Sequence, residues 1–528
     1  MKAEGTCRVC GNGAGDGASY VDAAGTRCCA SCFQFLRRSE SAAASPLFRC
    51  SICGQTLAPR HLQDFNARLV CRDCLIVEDP RPANASGDAT APPDAETASD
   101  AVLRLLKNPL PEHVLAALTC PHCWHMFLPE QLLWISEHGE LRGDPILGPE
   151  AMLRFLPSRF NAAGEAIDLR DMPCQLLACP RCHLGVPRAL AETAPLFLSI
   201  VGAPGSGKSH FIASMCWELR RVMPASFRTT FTDADAVSNR ALNAYEEMLF
   251  LQSDMARPVA IRKTELHGEL YDQIRLGQQV ITLPRPFLFT LRPESTAAGE
   301  KLRLLCLYDN AGEHFHPGMD SISSPGTQHL ARSNAILFLF DPTQHPRLRD
   351  ACRPISDDPQ LAAAARNQRQ EIVLTEAAAR VRRYAGLPSH EKHRSPLIVI
   401  VSKADIWAPL LKESLAHEPI LPVGPEGRVA GIDRRRIEKI SARLRTLLMT
   451  YTPEFVAAAE DFCQHVVYIP VSALGHGPSL EPDTGMLGIR PKDVKPQWVT
   501  VPILYALAKT AGELTSAAPK RRRIRADL

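Results

Sequence analysis

Apolar residues in this chain gather into short, dense runs separated by longer polar stretches. Six runs read as buried strands: Leu196 to Val201, Phe287 to Leu291, Lys301 to Tyr308, Ala335 to Phe340, Pro396 to Val401 and Val466 to Val471. Between them lie segments in which apolar residues recur every three or four positions. Leu361 to Tyr384 and Arg434 to Tyr451 predict crossover helices, and Pro496 to Ala511 predicts a closing helix. Pro342 to Pro359 and His417 to Gly427 are proline-rich and predict loops. Strands alternating with helices imply an α/β fold with a doubly wound, mostly parallel sheet and a ligand site at the strand C-terminal ends. The first third reads differently. It has a short helical pattern around Ala101 to Lys107 and another toward Leu118, but no dense apolar runs before them.

The first buried run leads directly into chemistry. Leu196 to Ser209 reads LFLSIVGAPGSGKS: a strand, a glycine-rich turn and the start of a helix. Gly202, Gly207, Lys208 and Ser209 have the spacing of a phosphate-binding P-loop. Gly202, Ala203, Pro204, Gly205, Ser206 and Gly207 would wrap backbone N–H groups around phosphate oxygens, with Lys208 on the β- and γ-phosphates. The Ser209 hydroxyl would bind Mg²⁺, and the helix start at Ser209 and His210 attracts anions. The bland alternative is a glycine-rich turn that happens to fit.

Three later strand ends choose among nucleotides. The run to Tyr308 ends in Asp309-Asn310-Ala311-Gly312, where Asp309 can hold Mg²⁺ and the Gly312 N–H can approach a γ-phosphate. The run to Val401 ends in Ser402-Lys403-Ala404-Asp405. A carboxylate at Asp405 accepts from guanine N1–H and the 2-amino group, a donor pair that adenine lacks, while the Lys403 stem covers the ring. The last run ends in Ser472-Ala473-Leu474, whose backbone can reach the guanine oxygen. GAPGSGKS, DNAG, SKAD and SAL, in this order and each after a strand, resemble the G1, G3, G4 and G5 motifs of P-loop GTPases of the translation-factor and Ras-like class, over roughly Ala194 to Gly512. The resemblance implies GTP and GDP as ligands, Mg²⁺ as cofactor, and hydrolysis of GTP. Two departures bear on hydrolysis. Ser402 stands where Asn or Thr is usual. Glu313 follows the third-motif glycine, where Ras-like enzymes have a water-orienting glutamine; a carboxylate there repels the γ-phosphate unless it is protonated or turned away, which implies slow intrinsic hydrolysis or a different residue that positions the water. His314 and His316 are nearby and read as surface or switch residues. Thr282 is the candidate for the switch threonine, with an ordinary loop threonine as the equal alternative.

Cysteine placement adds a second chemistry. Of 18 cysteines, fourteen precede the P-loop, and twelve of these form six C-x-x-C pairs. Cys7/Cys10 and Cys29/Cys32 have 18 residues between them, and Cys50/Cys53 and Cys71/Cys74 have 17. Two such knuckles complete a tetrahedron around Zn²⁺. Sequential pairing is simplest, although an interleaved cross-brace fits the same spacing. Cys28 reads as a spare thiol that can replace its neighbour, and His61 as a surface residue. The last pairs, Cys120/Cys123 and Cys179/Cys182, are 55 residues apart and read as one zinc ribbon with an inserted subdomain, Trp124 to Ala178. His122, His125, His183 and Cys174 are alternative ligands. The count is about three Zn²⁺ per chain. With 19 residues between Cys182 and Gly202, this ribbon is expected to sit against the nucleotide domain. Knuckles placed before such a domain also resemble the double-GTPase families of bacterial conflict systems, which implies a defence role.

The organisation expected is two zinc modules over residues 1–78, a flexible linker over 79–100, a zinc ribbon with its insertion over 101–193, a GTPase domain over 194–512 and a basic tail over 513–528. The linker is rich in Pro, Ala, Ser and Asp. Residues 1–78 carry nine Lys and Arg against seven Asp and Glu, so a protein partner is favoured over nucleic acid for the zinc modules. Net charge is +3, which selects no partner. The tail has five cations from Lys520 to Arg525 and reads as a solubilising end or a contact to nucleic acid or anionic lipid. No run approaches the roughly 18 apolar residues of a membrane span, and the N-terminus lacks a secretory apolar core, so a cytoplasmic location is expected. The functional expectation is a zinc-containing GTP-dependent switch. Its rivals are a P-loop ATPase or kinase, a GTP-binding scaffold that does not hydrolyse, and an RNA- or ribosome-associated GTPase.

Overall fold

The computed structural model describes the backbone of six short strands before residue 72, then residues 117–259, 270–277, 279–294, 302–310, 315, 328–362, 369–421, 431–480 and 487–510. The chain divides into two compact units, Met1–Ala101 and Val102–Leu528. Among the described residues, the first contains three antiparallel hairpins: Ser19–Val21 with Arg27–Cys29, Phe48–Arg49 with Thr56–Leu57, and Leu62–Phe65 with Arg68–Cys71. Cys29 and Cys71 each end a hairpin strand at the start of a C-x-x-C pair. Cys7, Cys10, Cys32, Cys50, Cys53 and Cys74 lie outside the described residues, as do the side chains of Cys29 and Cys71.

The second unit is built on a seven-stranded sheet. Its strands are β1 (Pro195–Gly202), β2 (Thr229–Asp233), β5 (Phe287–Pro293), β6 (Arg303–Asp309), β7 (Ala335–Phe340), β8 (Leu397–Val401) and β9 (Val466–Pro470). A separate hairpin joins β3 (Tyr271–Leu276) to β4 (Gln279–Pro284). The sheet order is β2-β5-β6-β1-β7-β8-β9. All strands are parallel except β5, which runs antiparallel to both neighbours. The expected mostly parallel sheet is therefore present, with one reversed strand that periodicity did not reveal.

The central strands are apolar on both sides because both faces are covered. Leu198, Ile200, Leu305, Leu307 and Phe289 belong to one core, with Phe211, Met215 and Leu219 of helix α1 (Lys208–Phe227). Phe197, Leu304, Cys306, Tyr308 and Leu288 alternate with them and join a second core, with Cys120, Trp124, Cys179, Cys182 and the hairpin residues Ile274 and Leu283. On this part of the sheet a cysteine module and a hairpin provide the cover. The expected seating of the ribbon against the nucleotide domain follows from this core. The insertion is a small β subdomain: Leu133–Ile135, Arg154–Phe155 and Leu177–Ala178 form a four-stranded sheet with Gly185–Val186, which follows the second knuckle.

Among the described residues, the other α-helices are α2 (Arg240–Phe250), α3 (Pro346–Cys352), α4 (Gln370–Ala385), α5 (Ala404–Leu411), α6 (Arg434–Tyr451), α7 (Pro453–Phe462) and α8 (Val501–Thr510). Three expectations need correction. Leu118 lies in a strand, Leu118–Thr119, paired with Met126–Phe127 across the cysteine knuckle. The helix expected from Leu361 starts at Gln370, after a short turn at Pro359–Leu361 capped by Asp358. The Pro342–Pro359 stretch is no simple loop: Pro346 opens α3, because proline at a first helical position lacks only an N–H that would be unpaired there anyway.

Candidate functional site

β1 and β7 run side by side, and both end at one edge of the sheet. Gly202 pairs with Leu339 across this edge. A Cβ at Gly202 would lie 2.7 Å from the Leu339 carbonyl oxygen, so only glycine allows the strand to turn here. Gly205 and Gly207 take positive φ, 72° and 93°, a region that L side chains adopt at a cost. The turn ends where α1 begins at Lys208, which presents a helix N-terminus. The Lys208 ammonium is buried and donates to the carbonyls of Gly202 at 2.9 Å and Ala203 at 3.2 Å. Asp309 ends β6, buried, in register with Ile200 of β1. Two parallel neighbours thus bring Asp309 and the P-loop to the same edge.

β8 and β9 supply the second half. Ser402 donates to the Phe340 carbonyl at 3.0 Å and tethers the end of β8 to β7. Lys403 is left-handed, with φ 56°. Its ammonium sits 2.6 Å from Asp341 Oδ2 and donates to Thr343 Oγ1 at 3.0 Å. Asp405 lies in the first turn of α5 and accepts from the Ser472 hydroxyl; that hydroxyl in turn accepts from the Gly475 N–H at 2.9 Å. A cavity of about 240 Å³ collects part of this set; Gly202, Lys208, Ser209, Asp309 and Asp341 are not among the residues that line it. Gly205, Ser206, Gly207 and His210 line one side, Ser402, Lys403 and Asp405 the second, and Ser472, Ala473 and Leu474 the third. Burial and the Lys403 charge push the His210 imidazole down to about 4.

Not every expected residue joins this group. Thr282 lies in the β3–β4 hairpin, paired with Gln273, and is not among the residues that line the cavity. Gly312, Glu313, His314 and His316 lie outside the described residues. Conversely, several contributors were not anticipated. Gln360, His476, Val259 and Ile489 also line the cavity. Val259 and Ile489 exchange both backbone hydrogen bonds at 2.8 Å, which ties the segment after α2 to the segment after β9. Asp341 to Gln344 form a bracket. Asp341 holds Lys403, and Gln344 Nε2 donates to the Pro204 carbonyl of the P-loop at 3.2 Å. Gln370 donates to and accepts from the Asp341 backbone, at 2.8 Å in both cases. An aspartate directly after AILFLF, at a strand C-terminus in an α/β sheet, was the available signal.

The cysteine centre forms from two knuckles. Cys120, Cys123, Cys179 and Cys182 place their four Sγ atoms within 4.8 Å of one another. Cys120–Cys182 and Cys123–Cys179 are each separated by 3.7 Å. A regular tetrahedron with Zn–S bonds of about 2.3 Å has edges of about 3.8 Å, so the spacing fits one zinc ion. Burial pushes the Cys120 thiol up, while hydrogen bonding to Cys120 holds Cys123 and Cys179 down. The alternative ligands are engaged elsewhere. His122 Nε2 bonds the Gly185 carbonyl at 2.9 Å, His183 Nδ1 bonds Asp144 at 2.7 Å, His125 stacks on Phe127, and Cys174 contacts Asp168 and the Met172 carbonyl. Of about three expected zinc sites, this is the one tetrad among the described residues.

Comparison with known proteins gives three findings. Residues 196–449 match the family Double-GTPase 2. The chain is 25% identical over 250 residues to the "Putative ESX-1 scaffolding and assembly protein SaeC" of Mycolicibacterium smegmatis, covering 44% of this chain and 59% of that protein. Among solved structures, it is similar to the signal recognition particle receptor SRb-GTP/SRX complex of Chaetomium thermophilum, at 14% identity and a TM-score of 0.20, covering 55% of this chain and 95% of the other. It is also similar to the Ski7 GTPase-like domain of S. cerevisiae, bound to GDP and inorganic phosphate, at 13% identity and a TM-score of 0.22, covering 62% and 52%.

Proposed function

From a P-loop GTPase domain of the Double-GTPase 2 family, we propose that this chain is a GTP-binding and GTP-hydrolysing switch whose cysteine modules serve as protein-interaction elements. One observation carries the reading: the P-loop, Lys403–Asp405 and Ser472–Leu474 converge on one cavity from three strand ends. Gly202 to Ser209 would hold the phosphates, with His210 beside them. Asp405 would accept from guanine, and Lys403 would lie across the ring. Ser472 orients the Asp405 carboxylate, with Ala473 and Leu474 beside the base. When bound, Mg²⁺ supplies charge neutralisation at the phosphates. The Ser209 hydroxyl and the Asp309 carboxylate would hold it; the buried aspartate at the end of β6, in register with the P-loop strand, supports this reading. The tetrad would hold one structural zinc in a zinc ribbon.

The curated relative's description points to scaffolding and assembly, so a role in organising a protein complex stands beside the defence role implied by resemblance. The chain spans about three fifths of that relative's length. No described helix is long and apolar enough to cross a membrane. The test is binding of GTP, GDP and ATP to the purified chain with Mg²⁺. Guanine-selective binding that Lys208→Ala abolishes supports the reading; ATP preference, or binding unaffected by Lys208→Ala, refutes it. Glu313 favours a second reading, a GTP-binding scaffold that does not turn over. Single-turnover hydrolysis sensitive to Lys208→Ala would exclude it.

A further inference from the structure

The cysteine tetrad and the Asp309 end of β6 are joined by one buried cluster. Trp124 follows Cys123 directly, in the left-handed region with φ 53°, and its N–H returns to the Cys120 carbonyl at 3.1 Å. The knuckle therefore fixes where its indole lies. The indole N–H donates to the Tyr308 hydroxyl at 3.0 Å. That hydroxyl donates in turn to the Pro121 carbonyl, inside the same knuckle, at 2.5 Å. Tyr308 is fully buried at the last position before Asp309. His329 stacks on Tyr308 with ring centroids 4.4 Å apart and lies 5.8 Å from the Trp124 ring. Its Nε2 is 3.0 Å from Asn310 Nδ2, and Asn310 also donates to the Ile200 carbonyl of β1 at 3.1 Å. Both neighbours of Asp309 are thus held, Tyr308 by the knuckle and Asn310 by His329.

We infer that Trp124, Tyr308 and His329 are positioning residues for Asp309 and Asn310 at the end of β6, so that metal in the cysteine tetrad and Mg²⁺–nucleotide at the P-loop strengthen each other's binding. The inference rests on the assignment of Asp309 to Mg²⁺ and of the tetrad to zinc. The physical reason is geometric. A metal fixes the Pro121 carbonyl and the indole in place; without it the knuckle relaxes, and the Tyr308 hydroxyl loses two fixed partners next to the magnesium ligand. Linkage makes the effect reciprocal, and coupled sites of this kind usually change affinity about 5- to 150-fold.

Tyr308→Phe in the full-length chain tests it, since the ring and its stacking stay while both hydroxyl hydrogen bonds go. Fluorescently labelled GTP is titrated with Mg²⁺ and with EDTA. The expected result is a loss of about ten-fold in affinity with Mg²⁺, inside the range for coupled sites, and no change in EDTA. A general structural defect would lower both. A second measurement needs no variant: the zinc retained by the wild-type chain against a competing chelator, with and without GTP and Mg²⁺. Nucleotide is expected to raise the retained fraction in wild type and not in Tyr308→Phe. Equal Mg²⁺-dependent affinity in variant and wild type overturns the inference, as does zinc retention indifferent to nucleotide. If the wild-type chain binds no guanine nucleotide, the functional reading falls and takes this inference with it. If it binds GTP with Mg²⁺ but Tyr308→Phe behaves as wild type, only the coupling is lost.

Discussion

Asp341 offers the sharpest check on how Lys403, proposed to lie across the base, is held. Its carboxylate has no solvent exposure, while Lys403 keeps 18% of its side chain exposed, and the two meet at 2.6 Å. Asp341→Asn changes almost no volume. The Oδ1 atom can still accept from the Thr343 N–H at 2.9 Å and hydroxyl at 2.7 Å, and Gln370 still grips the backbone. What changes is the other atom, where an amide donor would face the Lys403 ammonium. Removing one partner of a fully buried pair costs about 3–5 kcal/mol. Lys403 can recover part of this by turning its ammonium to water, so about 2 kcal/mol is expected. If Lys403 crosses the base only when Asp341 holds it, that loss appears in nucleotide binding as roughly 30-fold, at about 1.4 kcal/mol per decade. The assay is titration of labelled GTP and ATP, with a denaturation curve of each protein as control. The variant is expected to lose GTP affinity and part of its preference over ATP. GTP affinity within two-fold of wild type, with selectivity intact, would refute the idea that Asp341 positions Lys403.

Three further outcomes follow from particular contacts. Gly202→Ala puts a methyl 2.7 Å from the Leu339 carbonyl, and backbone cannot move aside as a side chain can, so a loss of about 1–3 kcal/mol in stability together with loss of GTP binding is expected by denaturation and titration. Cys179→Ser removes one ligand of the tetrad, and elemental analysis is expected to find one zinc equivalent fewer per chain. Glu246, paired with Arg220, is pushed by burial up to about 7 from its ordinary 4.5. The folded state therefore keeps a proton that the unfolded chain has already released. This contribution to stability is fully present below pH 4.5 and is lost as pH rises through 7, by about 3 kcal/mol at most. Glu246→Gln is expected to flatten that slope in thermal melts between pH 5 and 8; parallel slopes in the two proteins would remove the explanation.

Much of the sheet was legible because a strand covered on both faces needs an unbroken apolar run. Ala335–Phe340 is such a run, and β7 has those bounds. Arg434–Tyr451 was equally clear, since a long amphipathic helix repeats its signal over many turns. The cysteine tetrad was readable from local knuckle spacing, even with 55 residues between the pairs. Illegible features were those set by pairing between distant segments. Nothing local says that β5 runs antiparallel, or that Thr282 pairs with Gln273 in a hairpin. The histidines beside the knuckles looked like ligands because their real partners, Gly185 and Asp144, are far along the chain. The Asp341 bracket was missed for a related reason. Its proline-rich surroundings read as loop, while its role depends on Lys403, 62 residues later.

The second core also bears on how cells would handle a chain that has not acquired metal. Phe197, Leu288 and Leu304 are covered by the cysteine module, and burying each such side chain is worth about 1.5–3 kcal/mol. A chain lacking the ion would leave this central patch of sheet poorly shielded, beside a P-loop whose own strand depends on it. Exposed apolar sheet is the kind of surface that chaperones hold and proteases clear. If the tetrad holds zinc as proposed, metal acquisition would act as a maturation checkpoint: only metal-loaded chains would persist long enough to compete for nucleotide.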